Sequence, residues 1–356
     1  MTPSAVPRNL PQSALQSALD HIAAGDELDE RAVEAAVSEI VSGLAPARLV
    51  ADLLLALRAK GESAAEIAGA VRALRAAMIR VAHPRPDLLV DTCGTGGGAV
   101  TTVNISTAAA FVAAGSGVAI AKHGNRSFTS RSGSADVLEA LGIGLDLGAD
   151  QALRVLDAVG LVFLFAPTYH PAMRHVAPIR RELKVQTLMN LIGPLANPAS
   201  AGRQVIGVGD PARAPAMAGA LARLGAVHAL VVHAAVGMDE FSPVGTTAIW
   251  EVREGQVREW QFDPGATGLV TTSLAGLEGG EPVENAAKIV SLLEAPAKAA
   301  PALRSAVLLN AAAAIYVSGV VSTMDRAIEL AVDSLESGRA REKLEALRAT
   351  TFNTCE

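Results

Sequence analysis

From residue 88 onward, short apolar runs of strand length alternate with runs at helical spacing, and this alternation restricts the chain more than any other feature. Apolar runs at 88–90, 118–121, 161–165, 205–208 and 227–232 are interleaved with helical patterns at 107–114, 135–141 and 214–224. Strands joined through helical crossovers form a mainly parallel sheet covered on both faces. An α/β fold is therefore predicted. Residues 249–262, with Gly255 near the middle, read as a hairpin. The stretches 283–293, 302–317 and 324–335 read as helices.

Upstream the character differs. Apolar residues recur at helical spacing over 15–23, 32–41, 49–57 and 67–81, with Gly25, Gly43 and Gly61 as stop signals. His83-Pro84-Arg85-Pro86 then breaks the pattern and marks a boundary. Between Pro171 and Pro198 the strand pattern lapses into helical runs at 177–183 and 186–191, so this segment is expected to leave the sheet and pack on the N-terminal helices. The predicted organisation is a small all-helical domain (1–84, with 172–200 packing on it) and a larger α/β domain (85–171 and 201–356). Aromatics are only 3% of the chain, so Ala, Val and Leu must fill the core. Such small side chains suit helices packed on a buried sheet.

Charge and cysteine content narrow the function. Net charge is −6, and neither a basic excess nor the aromatics of a nucleic-acid surface are present. Phosphate, if bound, must be held locally by backbone N–H groups, a few cations or a metal. Cys93 and Cys355 make no disulfide framework, which points to a reducing compartment. Residues 1–12 are rich in Pro and Ser and lack the apolar core of a signal peptide. No apolar run reaches membrane-spanning length without Gly or charge. A cytoplasmic protein without a membrane partner is expected.

Four clusters carry chemistry. Asp91-Thr92-Cys93-Gly94-Thr95-Gly96-Gly97-Gly98 follows a strand, where glycines let the backbone turn tightly and aim N–H groups at an anion. Asn104-Ile105-Ser106-Thr107 opens the next helix, whose N-terminus favours phosphate. The bland alternative is a turn and a helix cap. Gly94, Gly96 and Ala99 also fit a dinucleotide fingerprint, but the next strand ends in Lys122-His123 where that reading wants an acidic residue. The second cluster, Lys122-His123-Gly124-Asn125-Arg126-Ser127 with Ser134 shortly after, places cations and hydroxyls beside glycines and resembles a second phosphate cradle; alone it would be a solvated loop. Asp239-Glu240, beyond the 227–232 run, can ligate a hard cation such as Mg²⁺, although most such pairs are surface turns. Arg180, in the first turns of a helix, suits a carboxylate through its planar fork, while an exposed helix Arg is the commoner case.

Taken in order, these motifs resemble the anthranilate phosphoribosyltransferases, over about residues 15–335. The lines GTGGGAVTTVNIST, KHGNRSFTSRSGSAD, IRRELKVQTLMNLIGPLANP and GMDE carry the resemblance. It implies a nucleoside phosphorylase/phosphoribosyltransferase-like fold with the active site between a helical and an α/β domain. It implies that phosphoribosyl pyrophosphate (PRPP) is bound by Gly94, Thr95, Gly96, Gly97, Gly98, Thr102, Asn104, Ile105, Ser106 and Thr107. Lys122, His123, Gly124, Asn125, Arg126, Ser127, Phe128, Thr129, Ser130 and Ser134 would complete that site. Two Mg²⁺ per subunit would be held by Ser106, Asp239 and Glu240. Anthranilate would lie near Gly94, His123, Asn125, His170, Arg180 and Pro194, with its carboxylate on Arg180. No side chain is implied as an acid or base, and a homodimer through the helical domain is implied.

Four positions depart from the family pattern. Gly98 stands where Asp is common, Gln186 and Met189 stand where Arg and Phe are usual, and Lys184 stands where Gly is usual. Losing a cation and a ring at 186 and 189 is expected to bear on the aromatic substrate. The alternatives are a pyrimidine nucleoside phosphorylase, whose loop would read Lys-x-Ser-Gly-Arg at 122–126, and a non-catalytic relative that binds nucleic acid.

Overall fold

The computed structural model describes residues 13–127 and 131–352. The described chain opens with α1 (Ala14–Ala23), α2 (Glu30–Val41), α3 (Ala47–Lys60) and α4 (Ala64–Ala77). Side-chain oxygens of Ser13, Asp29 and Ser63 cap three of these helices, and Glu66 returns a bond to the Ser63 N–H at 2.8 Å. Gly69 lets α4 cross α2 closely, because a Cβ there would overlap the Glu30 carbonyl. α4 stops short of the apolar pattern that runs to Val81, since Met78 turns extended (φ −85°, ψ 155°).

The remainder is built on β1 (Val90–Gly94), α5 (Ile105–Gly115), β2 (Ile120–Gly124), α6 (Ser134–Ala140), α7 (Ala149–Val159), β3 (Leu161–Phe165) and the single turn α8 (Ala166–Tyr169). The chain then leaves the sheet for α9 (Ala177–Leu183) and α10 (Leu188–Ile192). It returns as β4 (Arg203–Gly207), α11 (Ala214–Arg223), β5 (His228–Ala234), β6 (Thr247–Arg253) and β7 (Gln256–Phe262), and ends in α12 (Pro282–Glu294), α13 (Pro301–Ser318), α14 (Met324–Glu336) and α15 (Arg339–Phe352).

The seven strands lie in the order β3-β2-β1-β4-β5-β6-β7. β3 to β5 are parallel, while β6 and β7 run antiparallel. The β6–β7 hairpin turns at Glu254-Gly255, both at positive φ (53° and 74°), the geometry that matches strand twist in a two-residue turn. The chain moves from β1 toward β2 and β3, then returns to β4 on the other side of β1. That switch point opens a crevice beyond the strand ends, where α/β sheets bind ligands.

Two cores result. One packs α5, α7 and α12–α15 on one side of the sheet. α13 is long and apolar enough to cross a membrane by composition, yet it is the central helix of this core, packed on α5 and α14. The other core joins α1–α4 to α11 and to Ile206, Val208, Val231 and Trp250 of the opposite sheet face. Val176, Ile179, Leu188, Met189 and Ile192 belong to it, so the α9–α10 excursion is anchored among the N-terminal helices. Buried polar links span this junction. Arg75 donates to the Leu195 carbonyl at 2.6 and 3.0 Å, and Glu62 pairs with Arg213.

Candidate active site

The ends of β1, β2, β4 and β5 bring the sequence candidates to one place. Gly94 ends β1 opposite Gly207 of β4, where an added Cβ would lie 3.0 Å from the Gly207 carbonyl. Thr95 N–H donates to that carbonyl at 2.9 Å, and Thr95 Oγ1 accepts from Gly209 N–H at 3.2 Å. Gly96 and Gly97 then take positive φ (67° and 83°), and a Cβ on Gly209 would come within 2.7 Å of Gly97. The sequence reading missed Gly207 and Gly209, although glycines after an apolar run are the same signal that marked the first loop. Beyond them, Gly98 lies against the Asp239 carboxylate, with 2.9 Å between an added Cβ and Oδ1, and Ala99 N–H bonds the Gly237 carbonyl at 2.9 Å. The far end of the loop is held by an antiparallel bridge from Thr102 to Glu278.

α5 begins at Asn104, whose side chain makes no cap bond to the helix. Instead its Nδ2 donates to the Ser132 carbonyl, and its Oδ1 accepts from Ser132 Oγ and from Asn285 Nδ2. Ile105 and Thr107 are buried in the helix core, and their N–H groups meet the Val103 and Asn104 carbonyls at 2.6 and 3.2 Å. The Ser106 backbone donates to the Glu240 carboxylate. Ser106 Oγ accepts from Lys122 Nζ at 3.2 Å.

Lys122 and His123 lie near the end of β2, where the strand is expected to close, and both are buried rather than solvated. A buried ammonium must be fully hydrogen-bonded, and Lys122 also donates to the Thr92 carbonyl and Oγ1. Burial lowers its pKa. The His123 and His170 rings lie 5.1 Å apart at 50°. Burial pushes His123 well down and His170 to about 4, so both are neutral at pH 7. Gly124 packs against Ser134 Oγ and the Phe163 ring, and Asn125 carbonyl accepts from Ala135 N–H and Ser134 Oγ. Arg126 departs from the cradle reading. Its guanidinium bonds Asp136 and Glu139 of α6 and covers the Phe165 ring, so this cation is committed to α6. Ser127 N–H is held by Asp136 Oδ2. Phe128, Thr129 and Ser130 lie outside the described residues.

Asp239 and Glu240 meet under the glycine loop. Burial raises the Asp239 carboxyl, and burial together with Asp239 lifts Glu240 to about 8. Among the described residues no group of three His, Cys, Asp or Glu could hold a metal. Two carboxylates beside a serine hydroxyl fit Mg²⁺, which takes oxygen ligands and completes its shell with water and ligand phosphates. Two acids each pushed toward protonation are a donor set that a divalent cation would relieve.

On the helical side, Arg180 is half-buried and Arg181 exposed. Burial lowers the Arg180 pKa. Pro194 is buried behind β1, its carbonyl accepting from Gln204 Nε2 at 2.8 Å. Gln186 Nε2 reaches Gly97, close enough to overlap a Cβ there. Met189 is only 2% exposed in the second core, so it does not line the substrate side as the sequence pattern suggested. Lys184 is left-handed (φ 54°) at the end of α9, a conformation suited to glycine.

The fold and this site define a class, a transferase built from a helical bundle and an α/β domain. Residues 16–78 match the model "Glycosyl transferase family, helical bundle domain", and residues 86–341 match "Glycosyl transferase family, a/b domain". The anthranilate phosphoribosyltransferase of Symbiobacterium thermophilum is 48% identical over 95% of this chain and 98% of its own. The enzyme of the same name from Methanosarcina acetivorans is 45% identical over 92% and 87%. Among solved structures, anthranilate phosphoribosyltransferase from Thermus thermophilus superposes with a TM-score of 0.87 at 40% identity, covering 96% of this chain and 99% of that one. The Saccharomyces cerevisiae enzyme in complex with PRPP and Mg superposes at 0.86 with 28% identity, covering 96% and 99%. The chain belongs to the anthranilate phosphoribosyltransferase family.

Proposed function

We propose that the chain transfers the phosphoribosyl group of PRPP to the amine of anthranilate, giving N-(5-phosphoribosyl)anthranilate and pyrophosphate, in tryptophan biosynthesis. The observation that carries this reading is the convergence of the glycine loop, the α5 N-terminus, Lys122 and the Asp239–Glu240 pair at one end of a parallel sheet. The Gly96, Gly97 and Gly98 N–H groups take no backbone carbonyl among the described residues, which leaves them for a diphosphate.

Ser106, Asp239 and Glu240 would hold Mg²⁺, two ions per subunit, which when bound neutralise charge growing on the departing pyrophosphate. Departure leaves cationic character on the ribose, and the neutral anthranilate amine attacks from the opposite face. An aromatic amine needs no strong base, in keeping with two neutral buried imidazoles. The chain's task is positioning. Arg180 grips the anthranilate carboxylate, and Asn125 with His123, His170 and Pro194 forms the floor between the substrates. A homodimer through the helical domain accounts for Leu44 and Leu55, 82% and 41% exposed on that domain.

Anthranilate fluorescence followed with PRPP and Mg²⁺, with and without a chelator, tests the reading. Loss of signal that stops on chelation supports it. Unchanged fluorescence at any Mg²⁺ concentration refutes it.

A further inference from the structure

The β1 and β2 strands do not stay zipped. Their ladder contains one register pair, Val90 with Ile120, whereas β1–β4 and β2–β3 each contain five. Beyond Val90 the ladder has no further register pair, and the polar groups that it would pair must find other partners. Three side chains fill the gap. Asp91, fully buried, accepts the His123 N–H on Oδ1 at 2.9 Å. Asn197, 2% exposed, donates from Nδ2 both to Asp91 Oδ2 and to the Ala121 carbonyl, each at 2.8 Å. Lys122 takes the Thr92 carbonyl. Asn197 Oδ1 in turn accepts the Ala199 N–H at 2.8 Å, so the carboxamide is satisfied on both ends.

The location gives this wedge its consequence. β1 continues into the glycine loop and β2 into His123 and Asn125. Asn197 stands on the segment returning from α9 and α10, three residues past Pro194. One buried carboxamide therefore ties the strand under one substrate loop, the strand under the other and the arm that carries Arg180.

We infer that Asn197 and Asp91 are positioning residues for the transfer, holding the ends of β1 and β2 apart at the separation the two substrates require. The inference rests on the functional reading above. Neither residue touches substrate; both act through the His123 amide and the Ala121 carbonyl. A buried polar network of this kind specifies a geometry because removing one member leaves the others unpaired.

The test uses the full chain with three variants: Asn197→Ala, Asp91→Asn and the double Asp91→Asn/Asn197→Ala. The two side chains act as one unit, so the double should lose little more than the worse single variant. A displacement of the order of 1 Å can cost about 100-fold in rate, so each single variant should lower kcat by roughly 30-fold with both KM values within about 3-fold. Hydrogen exchange in the 121–127 peptide should quicken in both single variants. Should Asn197→Ala fail to fold, Asn197→Ser, which keeps a hydroxyl donor, replaces it with smaller losses in the same direction. Single variants that melt lower but keep wild-type kcat would overturn the inference, as would a double variant whose loss is the product of the two single losses. A wild type that consumes no anthranilate would sink the functional reading and this role with it. An active wild type with unaffected variants would sink the role alone.

Discussion

Arg180→Ala separates the two substrates. Arg180 is half-buried on α9 and burial already disfavours its charge, so the guanidinium is partly stripped of water before any ligand arrives. Its neighbour Arg181 is exposed and, among the described residues, donates to the Ala177 carbonyl alone, at 3.4 Å. A hydrogen bond to a charged group contributes about 1.5–3 kcal/mol, which at about 1.4 kcal/mol per tenfold corresponds to roughly 10- to 150-fold in affinity. Partial desolvation places Arg180 in the upper part of that range, so the anthranilate KM should rise about 50-fold or more. The PRPP KM should move less than about 3-fold, because Arg180 is not among the groups gathered under the glycine loop. Arg180→Lys keeps the charge without the fork and should recover only part of the loss. Steady-state fluorescence with each substrate varied in turn measures both constants, with Arg181→Ala as the control. Equal increases in the two KM values, or a larger effect from Arg181→Ala, would refute the assignment.

Asp239→Asn with Glu240→Gln should abolish Mg²⁺-dependent turnover while circular dichroism stays unchanged; retained turnover would remove the pair from the metal site. Glu251 is a stability test. Burial alone would raise its carboxyl, but bonds from His228, Tyr316 and Trp260 (2.7, 2.8 and 2.9 Å) hold it below the usual carboxylate range. A depressed folded-state pKa stabilises above the unfolded value and is lost as pH falls through the folded one. Glu251→Gln should thus lower stability by about 2 kcal/mol at pH 7, with the gap to wild type closing in acid; a gap independent of pH would contradict this. Lys184→Gly should raise stability by about 0.5–1 kcal/mol in denaturant unfolding, the left-handed strain relieved less the entropy of glycine; a lower midpoint would show that the lysine side chain matters.

Much of this was legible in the sequence where one local rule decided the outcome. β3 follows its apolar run over the same residues, 161–165, and Gly255 marked the hairpin turn. α7 and α15 went unread although Ala152, Val155, Leu156 and Val159, and Ala340, Leu344 and Leu347, are buried at helical spacing. In α15 the stripe is narrow and surrounded by charge. Lys122 and His123 read as a strand end, but the burial of Lys122 was not legible, because a buried lysine is tolerable only with partners, and those partners, Thr92 and Ser106, lie on β1 and α5. Arg126 looked like a phosphate ligand for the same reason in reverse, since Asp136 and Glu139 claim it only once α6 folds against β2. Met189 faces the core because α10 is seated among the helices. Asn197 lies in the family line IRRELKVQTLMNLIGPLANP, but its role gave no signal, because it acts where the β1–β2 ladder stops, between strands far from it in sequence.

A crystal structure with PRPP and Mg²⁺ would show whether the glycine-loop amides, the α5 N-terminus and the Asp239–Glu240 carboxylates together hold a diphosphate. Pyrophosphate oxygens are expected against residues 94–98 and 104–107, with metal density between them and Ser106, Asp239 and Glu240. Pyrophosphate bound away from that crevice, or metal density remote from both carboxylates, would contradict that expectation.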